Sequence, residues 1–337
     1  MSRSVGPTIR LAVRAPFHLE ATVRVLQRRP TNLIDIWEAP HYRRVVRAEG
    51  RLVLIEVSET GTIDAPHLRL SLARGGLQPQ LREQVARTAR EILGLDQQST
   101  SHQSRAEAEP ALRATAVALR GMRPPRYPDL FETFANVIPF QQLSLEAGMS
   151  VVAHLVERFG EVLQLDGSRY FAFPRAEAIA DARMPSLRRT GMSRHKCESL
   201  RTAARAIASG ALTADSIAAL PSSEAIDRLR ELPGIGPWSA ALILLRGFRR
   251  LDVFPPTDTG AESSLVALMR LRSPAALGRI VERFGDCRGY LYFYGLASRL
   301  LAAGLIHAAP VSDATRVGVR YAGRRPVQTP RRSRVET

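Results

Sequence analysis

The chain has 337 residues, with 48 lysines and arginines against 32 aspartates and glutamates, and a formal net charge of +16. This length suits two domains with well-buried cores, and the charge favours a polyanionic partner such as DNA or RNA over an acidic metabolite. No apolar run approaches the roughly 18 residues of a membrane-spanning helix, and the first residues lack an apolar signal-peptide core. We therefore expect a cytoplasmic protein without a membrane partner.

Cysteine and lysine are both scarce, which limits the available chemistry. The two cysteines, Cys197 and Cys287, are too few for a four-thiolate iron–sulfur or zinc site. We expect both to be buried thiols in a reducing compartment, and we expect no required cofactor. Lys196 is the only lysine of the chain, and its polar Arg-His-Lys run predicts a solvated side chain.

Residues 1–95 are predicted to form a small α+β domain. Alternating and β-branched residues predict strands at 9–13, 42–48 and 51–57, with Glu49-Gly50 as a hairpin turn between the last two. Apolar residues at helical spacing predict helices at 17–28 and 81–95. On the first of these helices, Glu20, Arg24 and Arg28 are expected to face outward.

A polar stretch without periodicity, residues 96–109, is predicted to be a linker. Residues 110–310 show a succession of helical segments with short breaks and no strand signal, which predicts an all-helical domain. The tail, 311–337, has seven arginines against two acidic residues, with Gly and Pro interspersed. We expect this tail to be disordered and either to add nonspecific DNA affinity or only to aid solubility.

The stretch 232–240, LPGIGPWSA, predicts a tight turn between two helices. Gly234 and Gly236 permit positive φ and close backbone approach, and Pro237 suits the first position of a helix. Free N–H groups at that helix start attract an anion, for which a DNA phosphate is the obvious candidate. Taken alone, however, the pattern fits a plain helical hairpin equally well.

Asp258 follows Gly236 by 22 residues, after the proline-broken segment VFPPT. Such an acid could lie at the mouth of a cleft beside the hairpin. Its alternative role is that of a helix N-cap, because Thr257-Asp258-Thr259 precedes a helical segment. We expected these two roles to require different geometries.

These motifs resemble the helix-hairpin-helix-GPD superfamily of base-excision DNA glycosylases, and within it the DNA-3-methyladenine glycosylase II (AlkA-like) family. LPGIGPWSA and VFPPTD carry the resemblance, together with FETFANVIPFQQLS at 131–144 and GMSRHKC at 191–197. The resemblance spans roughly residues 112–305 and implies a glycosylase with a helical core behind an α+β domain. The partner that it implies is damaged double-stranded DNA, and we expect this chain to act as a monomer.

The resemblance also implies roles for single residues. Asp258 takes the position of the catalytic carboxylate, which would stabilise a sugar with oxocarbenium character. Trp238 and Tyr290 are candidates for the base pocket, where they would stack on an electron-poor base. Three positions that are aromatic in some alkylpurine enzymes align with Leu242, Thr259 and Leu296, which leaves the substrate range open.

Further implied roles concern contacts with DNA. The QQ turn supplies the wedge that fills the gap left by the flipped base, so Gln142 takes this role with Gln141 as its neighbour; a turn or capping role is about as well supported. The hairpin is expected to bind phosphate through Gly234, Ile235, Gly236 and Ser239. Backbone carbonyls are expected to hold a structural Na⁺ or K⁺ at Arg230, Leu232 and Ile235.

The leading hypothesis is a monofunctional enzyme that flips alkylated purines from duplex DNA and hydrolyses the N-glycosidic bond. The superfamily's lyase members carry a Schiff-base lysine two residues after the second hairpin glycine, and this chain has Trp238 there. One alternative is a glycosylase for deaminated or oxidised bases. The other is a non-catalytic helix-hairpin-helix DNA-binding protein, which would need neither Asp258 nor the QQ turn.

Overall fold

The computed structural model describes residues 8–73, 78–97 and 100–310. It confirms an N-terminal domain of sheet and helices followed by a helical core. Among the helices of these described ranges, none is long and apolar enough to cross a bilayer. The arginine-rich tail expected to be disordered lies outside the described residues.

The N-terminal domain is built on a five-stranded antiparallel sheet with the order β1-β5-β4-β3-β2. Its strands are β1 (Thr8–Leu11), β2 (Ile36–Glu38), β3 (His41–Ala48), β4 (Arg51–Glu59) and β5 (Leu68–Leu72). Glu49 and Gly50 have φ values of 47° and 74°, the two positive values that a type I′ hairpin turn requires. The predicted turn between these strands is therefore confirmed.

Helix α1 (Leu19–Gln27) belongs to the cores of both domains. Its Val23 and Leu26 pack in the same buried cluster as the sheet and helix α2 (Pro79–Leu93). Its Ala21 and Val25 belong to the core of the helical domain. Because one short helix serves both cores, the N-terminal domain brings its residues directly against the helical domain.

The helical domain consists mostly of short helices. They are α4 (Arg113–Ala118), α5 (Leu130–Ala135), α6 (Leu145–Phe159), α7 (Ala176–Ala180), α8 (Met184–Arg188), α9 (Arg194–Ala208), α10 (Ala214–Ala218), α11 (Ser222–Arg230), α12 (Pro237–Gly247), α13 (Thr259–Leu268), α14 (Pro274–Phe284) and α15 (Gly289–Ala302), with 3₁₀ turns at Ile138–Phe140 and Gly285–Cys287. Helix α12 lies at the centre, where every residue from Ser239 to Arg246 is buried.

Two segments differ from the sequence prediction. The expected linker contains helix α3 (Thr100–Ala108), whose Ala106 is buried in the helical core. The expected all-helical domain contains a hairpin of β6 (Val162–Leu165) and β7 (Ser168–Phe171), which lies against β3 and β4. Its turn, Asp166-Gly167, has positive φ at both residues, so this Asp-Gly pair was a hairpin signal in the sequence.

A buried ionic cluster joins the two domains. Arg44, on the central part of β3, is 2% exposed and donates to Asp35 at 2.7 Å and to Glu132 of helix α5. Tyr42 also donates to Asp35, at 2.8 Å. These bonds give each buried carboxylate a charged partner, as burial of a charge requires.

Candidate active site

An open cleft of about 1310 Å³ lies between the turn that follows residue Phe140, the α11–α12 hairpin and the start of α13. Small-ligand pockets usually measure roughly 300–1,000 Å³, so this cleft has room for a nucleotide and part of a strand. Seven of the residues to which the sequence analysis gave a catalytic, pocket, wedge or phosphate-binding role line it: Gln141, Gln142, Gly234, Gly236, Trp238, Ser239 and Asp258.

The hairpin turn depends on Gly234 more than on Gly236. Gly234 has φ of 81°, and a Cβ there would stand 2.0 Å from Oγ of Ser199. Gly236 has φ of −88° and forms the N-cap of α12, and a Cβ there would meet nothing within 4 Å. The expected positive φ is thus found at the first glycine only, while the second presents an open backbone surface.

The start of α12 offers part of the expected phosphate site. Gly236, Trp238 and Ser239 line the cleft at this helix N-terminus, where unpaired N–H groups and the helix dipole favour an anion. Ile235 departs from the expectation, because it is 5% exposed and its N–H donates to the carbonyl of Leu232 at 3.1 Å. The hydroxyl of Ser239 already accepts a bond from Gln141.

Asp258 is both a helix cap and a cleft residue. Its Oδ1 accepts the N–H of Ala261 at 2.8 Å, which caps α13, and its Oδ2 accepts Nε1–H of Trp238 at 2.9 Å. A carboxylate has about four acceptor sites, so these two bonds leave lone pairs available in the cleft. Capping therefore does not exclude a position in the cleft, and the catalytic role of Asp258 stays a prediction.

The pocket wall differs from the prediction at one aromatic residue. Tyr290 is 2% exposed and lies outside the cleft lining, whereas Tyr292, two positions further along α15, lines the cleft. Successive helical residues turn by about 100°, so two positions separate opposite sides of the helix. Burial raises the pKa of the Tyr292 hydroxyl, and the nearby Arg246 and Arg28 act against this shift.

The three positions aligned with aromatic pocket residues all lie where the alignment implies. Leu242, Thr259 and Leu296 each line the cleft. The wall is therefore non-aromatic at these positions, with aromatic faces from Trp238 and Tyr292.

The two glutamines of the QQ turn have different surroundings. Nε2 of Gln141 donates to the carbonyl of Gly234 at 2.8 Å and to Oγ of Ser239 at 2.9 Å, which fastens the turn to the hairpin. Gln142 is exposed, with φ of 54°. Gln142 has a positive φ, a backbone conformation that costs energy for a non-glycine residue. The bonds of Gln141 to the hairpin hold the turn in this conformation.

Lys196 supports the same turn. Its Nζ donates to the carbonyls of Pro139, at 3.0 Å, and of Gln141. Burial lowers the pKa of this ammonium group. The prediction of a solvated side chain was therefore wrong, because the first turn of α9 places Lys196 against the QQ turn and in the cleft lining.

Arg28 is a cleft residue that the sequence did not reveal. It is 6% exposed rather than outward facing. Its Nη2 donates to Tyr127 Oη and to Asn136 Oδ1, both at 2.7 Å, and its guanidinium carbon lies 4.4 Å from the ring centroid of Phe140. Its hydrogen-bond partners are 99 and 108 residues away, so no local pattern could have indicated this position.

The carbonyls implied for a monovalent cation lie at the last residue of α11, Arg230, and in the turn that follows, at Leu232 and Ile235. Leu232 O accepts a hydrogen bond from Ile235, while Arg230 O and Ile235 O accept no backbone bond from the described residues. Carbonyl oxygens near a helix C-terminus suit a hard cation, so these residues are compatible with Na⁺ or K⁺. In the described ranges no three His, Cys, Asp or Glu residues are grouped as a metal site.

Comparison with known proteins identifies the family. Residues 8–129 match the AlkA N-terminal domain, and residues 135–276 match the HhH-GPD superfamily base excision DNA repair protein model. The DNA-3-methyladenine glycosylase of Bacillus subtilis (strain 168) is 30% identical over 216 residues, which are 63% of this chain and 71% of that protein. DNA-3-methyladenine glycosylase 2 of Escherichia coli (strain K12) is 30% identical over 182 residues, which are 53% of this chain and 61% of that protein.

Solved structures agree with this result. The 3-methyladenine DNA-glycosylase from Archaeoglobus fulgidus superposes with a TM-score of 0.74 at 25% identity, covering 87% of this chain and 99% of that one. An 8-oxoguanine glycosylase/lyase from Clostridium acetobutylicum shares the fold at 18% identity, with a TM-score of 0.67 and coverages of 86% and 93%. The chain belongs to the DNA-3-methyladenine glycosylase II (AlkA-like) family of helix-hairpin-helix-GPD DNA glycosylases.

Proposed function

We propose that this protein is a monofunctional DNA glycosylase that flips alkylated purines of the 3-methyladenine and 7-methylguanine type out of duplex DNA and hydrolyses their N-glycosidic bond. The observation that carries the proposal is the placement of Asp258, whose carboxylate is anchored by Trp238 and by the start of α13 inside the cleft.

The chemistry requires one acid. An N3- or N7-alkylated purine carries positive charge, so the C1′–N9 bond can break with its electron pair leaving on the base and without a general acid. The sugar then has oxocarbenium character, which the fixed Asp258 carboxylate would stabilise. Water forms the new C1′–O bond, and its proton passes to solvent or transiently to Asp258.

Recognition would use the surfaces around this carboxylate. The flipped base would stack on Trp238 and contact the aliphatic side chains of Leu242 and Leu296. Gln142 would fill the gap that the flipped base leaves in the DNA duplex. The start of α12 would bind a phosphate of the damaged strand. A Na⁺ or K⁺ held by the hairpin carbonyls would support the same contact, and a monomer would be sufficient.

The absence of lyase activity is part of the proposal. A lyase needs an amine that attacks C1′ to form a Schiff base. The hairpin position that would carry such a lysine is Trp238, and the single lysine of the chain, Lys196, is bonded to two carbonyls of the QQ turn. These features favour hydrolysis with water as the nucleophile.

The test is product analysis on a duplex with one 7-methylguanine. The native protein is expected to release the free base and to leave an intact abasic strand that breaks only after alkali. Borohydride should trap no covalent complex. Strand breaks without alkali, together with a trapped complex, would show a bifunctional enzyme. Tight DNA binding without any base release would instead support a non-catalytic DNA-binding protein.

A further inference from the structure

Arg28 places a buried positive charge at the wall of the cleft. It is 6% exposed, and within the described residues no carboxylate lies in ion-pair range of its guanidinium. Both of its hydrogen bonds use Nη2 and go to neutral partners, Tyr127 and Asn136. Its buried Nε has no partner in the part of the chain that the structure describes. A buried cation with unused donors and only neutral partners is costly unless a ligand accepts from it.

A second guanidinium reinforces this charge. Arg246 is 2% exposed, and its Nη2 donates to the same Tyr127 Oη at 3.1 Å, while its Nη1 has no partner among the described residues. Two cations therefore converge on one neutral oxygen. In the described ranges, Asp35 and Glu132 are both bonded to Arg44 and form no ion pair with Arg28 or Arg246. The protein behind this wall of the cleft is therefore rich in hydrogen-bond donors.

We propose that Arg28 is a specificity-determining residue that favours lesions with a carbonyl oxygen at purine C6 over lesions with an amino group there. The proposal rests on the proposed function and names its substrate class: 6-oxo purines such as 7-methylguanine and hypoxanthine. A guanidinium can only donate. The O6 of a 6-oxo purine accepts, whereas the N6 amino group of an adenine lesion would meet Arg28 donor to donor.

The position of Arg28 suits this role. A flipped base is read mainly at its Watson–Crick edge, which carries the C6 substituent. Arg28 stacks on Phe140, immediately before the QQ turn, and lines the same cleft as Asp258. 7-Methylguanine and 3-methyladenine carry the same charge as lesions in DNA, so the repulsion from Arg28 is similar for both. Their other differences are the same for every variant, so a change in their ratio between the native protein and an Arg28 variant reports on the C6 group.

The experiment measures both bases released from one substrate. DNA treated with a methylating agent is incubated with the native protein and with Arg28→Met, and the ratio of released 7-methylguanine to 3-methyladenine is determined at low conversion. We expect the ratio to fall about tenfold in the variant, the effect of losing one charge-assisted hydrogen bond. Arg29→Met, which removes the neighbouring arginine paired with Glu146, should leave the ratio unchanged.

Two further arms keep the result decisive if Arg28→Met is unstable. Arg28→Gln can present a carbonyl to an amino group, so it should also shift release towards 3-methyladenine. Hypoxanthine and unsubstituted purine are both neutral in DNA, so each must take up a proton from solvent as it leaves. After correction for the uncatalysed rates, the native protein should release hypoxanthine faster than unsubstituted purine. Unchanged ratios in a folded variant, or no advantage for hypoxanthine, would overturn the inference while leaving alkylpurine release intact. No release of any base would overturn the proposed function as well.

Discussion

The indole Nε1–H of Trp238 donates to Oδ2 of Asp258 at 2.9 Å, joining the first turn of α12 to the start of α13. The other carboxylate oxygen caps α13. Two donors from different elements thus fix the orientation of the acid that is proposed to face the sugar. Fixed orientation is what makes a single carboxylate effective against a developing positive charge.

Removing the indole donor should slow the chemical step. In Trp238→Phe an aromatic face remains but Oδ2 of Asp258 loses its bond, so we expect the single-turnover rate of base release to fall about five- to thirtyfold with little change in DNA affinity. Trp37→Phe is the matched control, because Trp37 is buried in the N-terminal domain and its Nε1 has no partner among the described residues. Equal rates for both variants would contradict the anchoring role.

The two hairpin glycines should respond differently to alanine. Gly234→Ala places a Cβ 2.0 Å from Ser199 Oγ at a φ of 81°, so we expect a loss of about 1–3 kcal/mol in the free energy of unfolding. Gly236→Ala has open space for its Cβ and should keep the native melting temperature while weakening DNA binding at the expected phosphate contact. Thermal unfolding and DNA-binding titrations of the two variants separate these effects. Similar melting temperatures for both variants would refute the predicted destabilisation by Gly234→Ala.

Loss of the Lys196 ammonium should loosen the QQ turn. Lys196→Met leaves the carbonyls of Pro139 and Gln141 without this donor, so base release should fall about three- to tenfold. A DNA duplex that carries a fluorescent base analogue opposite the lesion should show less base flipping with this variant than with the native protein. Arg194→Met, which removes an exposed ion pair on the same helix, is the control. Normal flipping in Lys196→Met would exclude the positioning role.

The family, the order of the sheet-containing and helical domains, and part of the cleft lining could be predicted because short local motifs carry them. The positive φ of the tight turn requires a residue such as Gly234, and Asp258 follows a Pro-Pro break, so local sequence was enough to predict that both lie at the cleft. Arg28 and Lys196 were not, because their contacts lie 55 or more residues away in sequence. Both were predicted to be solvated, since a charged residue on a helix is usually exposed.

The tyrosines of α15 show a different limit. A cluster of aromatic residues on one helix predicts that some of them face a pocket. Which of them do so depends on the side of α15 that faces the cleft, and tertiary packing decides this. Tyr292 lines the cleft and Tyr290 does not.

Glu59 should make folding stability depend on pH. Burial raises the pKa of its carboxyl to about 7, opposed in part by a hydrogen bond from the Leu19 backbone. The unfolded chain releases this proton near the ordinary value of 4.5, so the unfolded state binds fewer protons between pH 4.5 and 7. Stability should therefore fall as pH rises through that window.

Glu59→Gln removes this titration while keeping the side-chain size. Urea unfolding at pH 4.5, 6 and 7.5 should give a flatter stability profile for the variant than for the native protein. Parallel stability profiles for the two proteins would mean that Glu59 does not contribute to the pH dependence of stability.

The most direct test of the active-site account is the single-turnover rate of 7-methylguanine release by Asp258→Asn. Asparagine can keep the bond to the Ala261 N–H but carries no charge, and its single oxygen cannot serve both Ala261 and Trp238. We predict a loss of at least about a hundredfold, with DNA affinity and melting temperature close to native. A folded variant that releases the base at the native rate would contradict the role of Asp258.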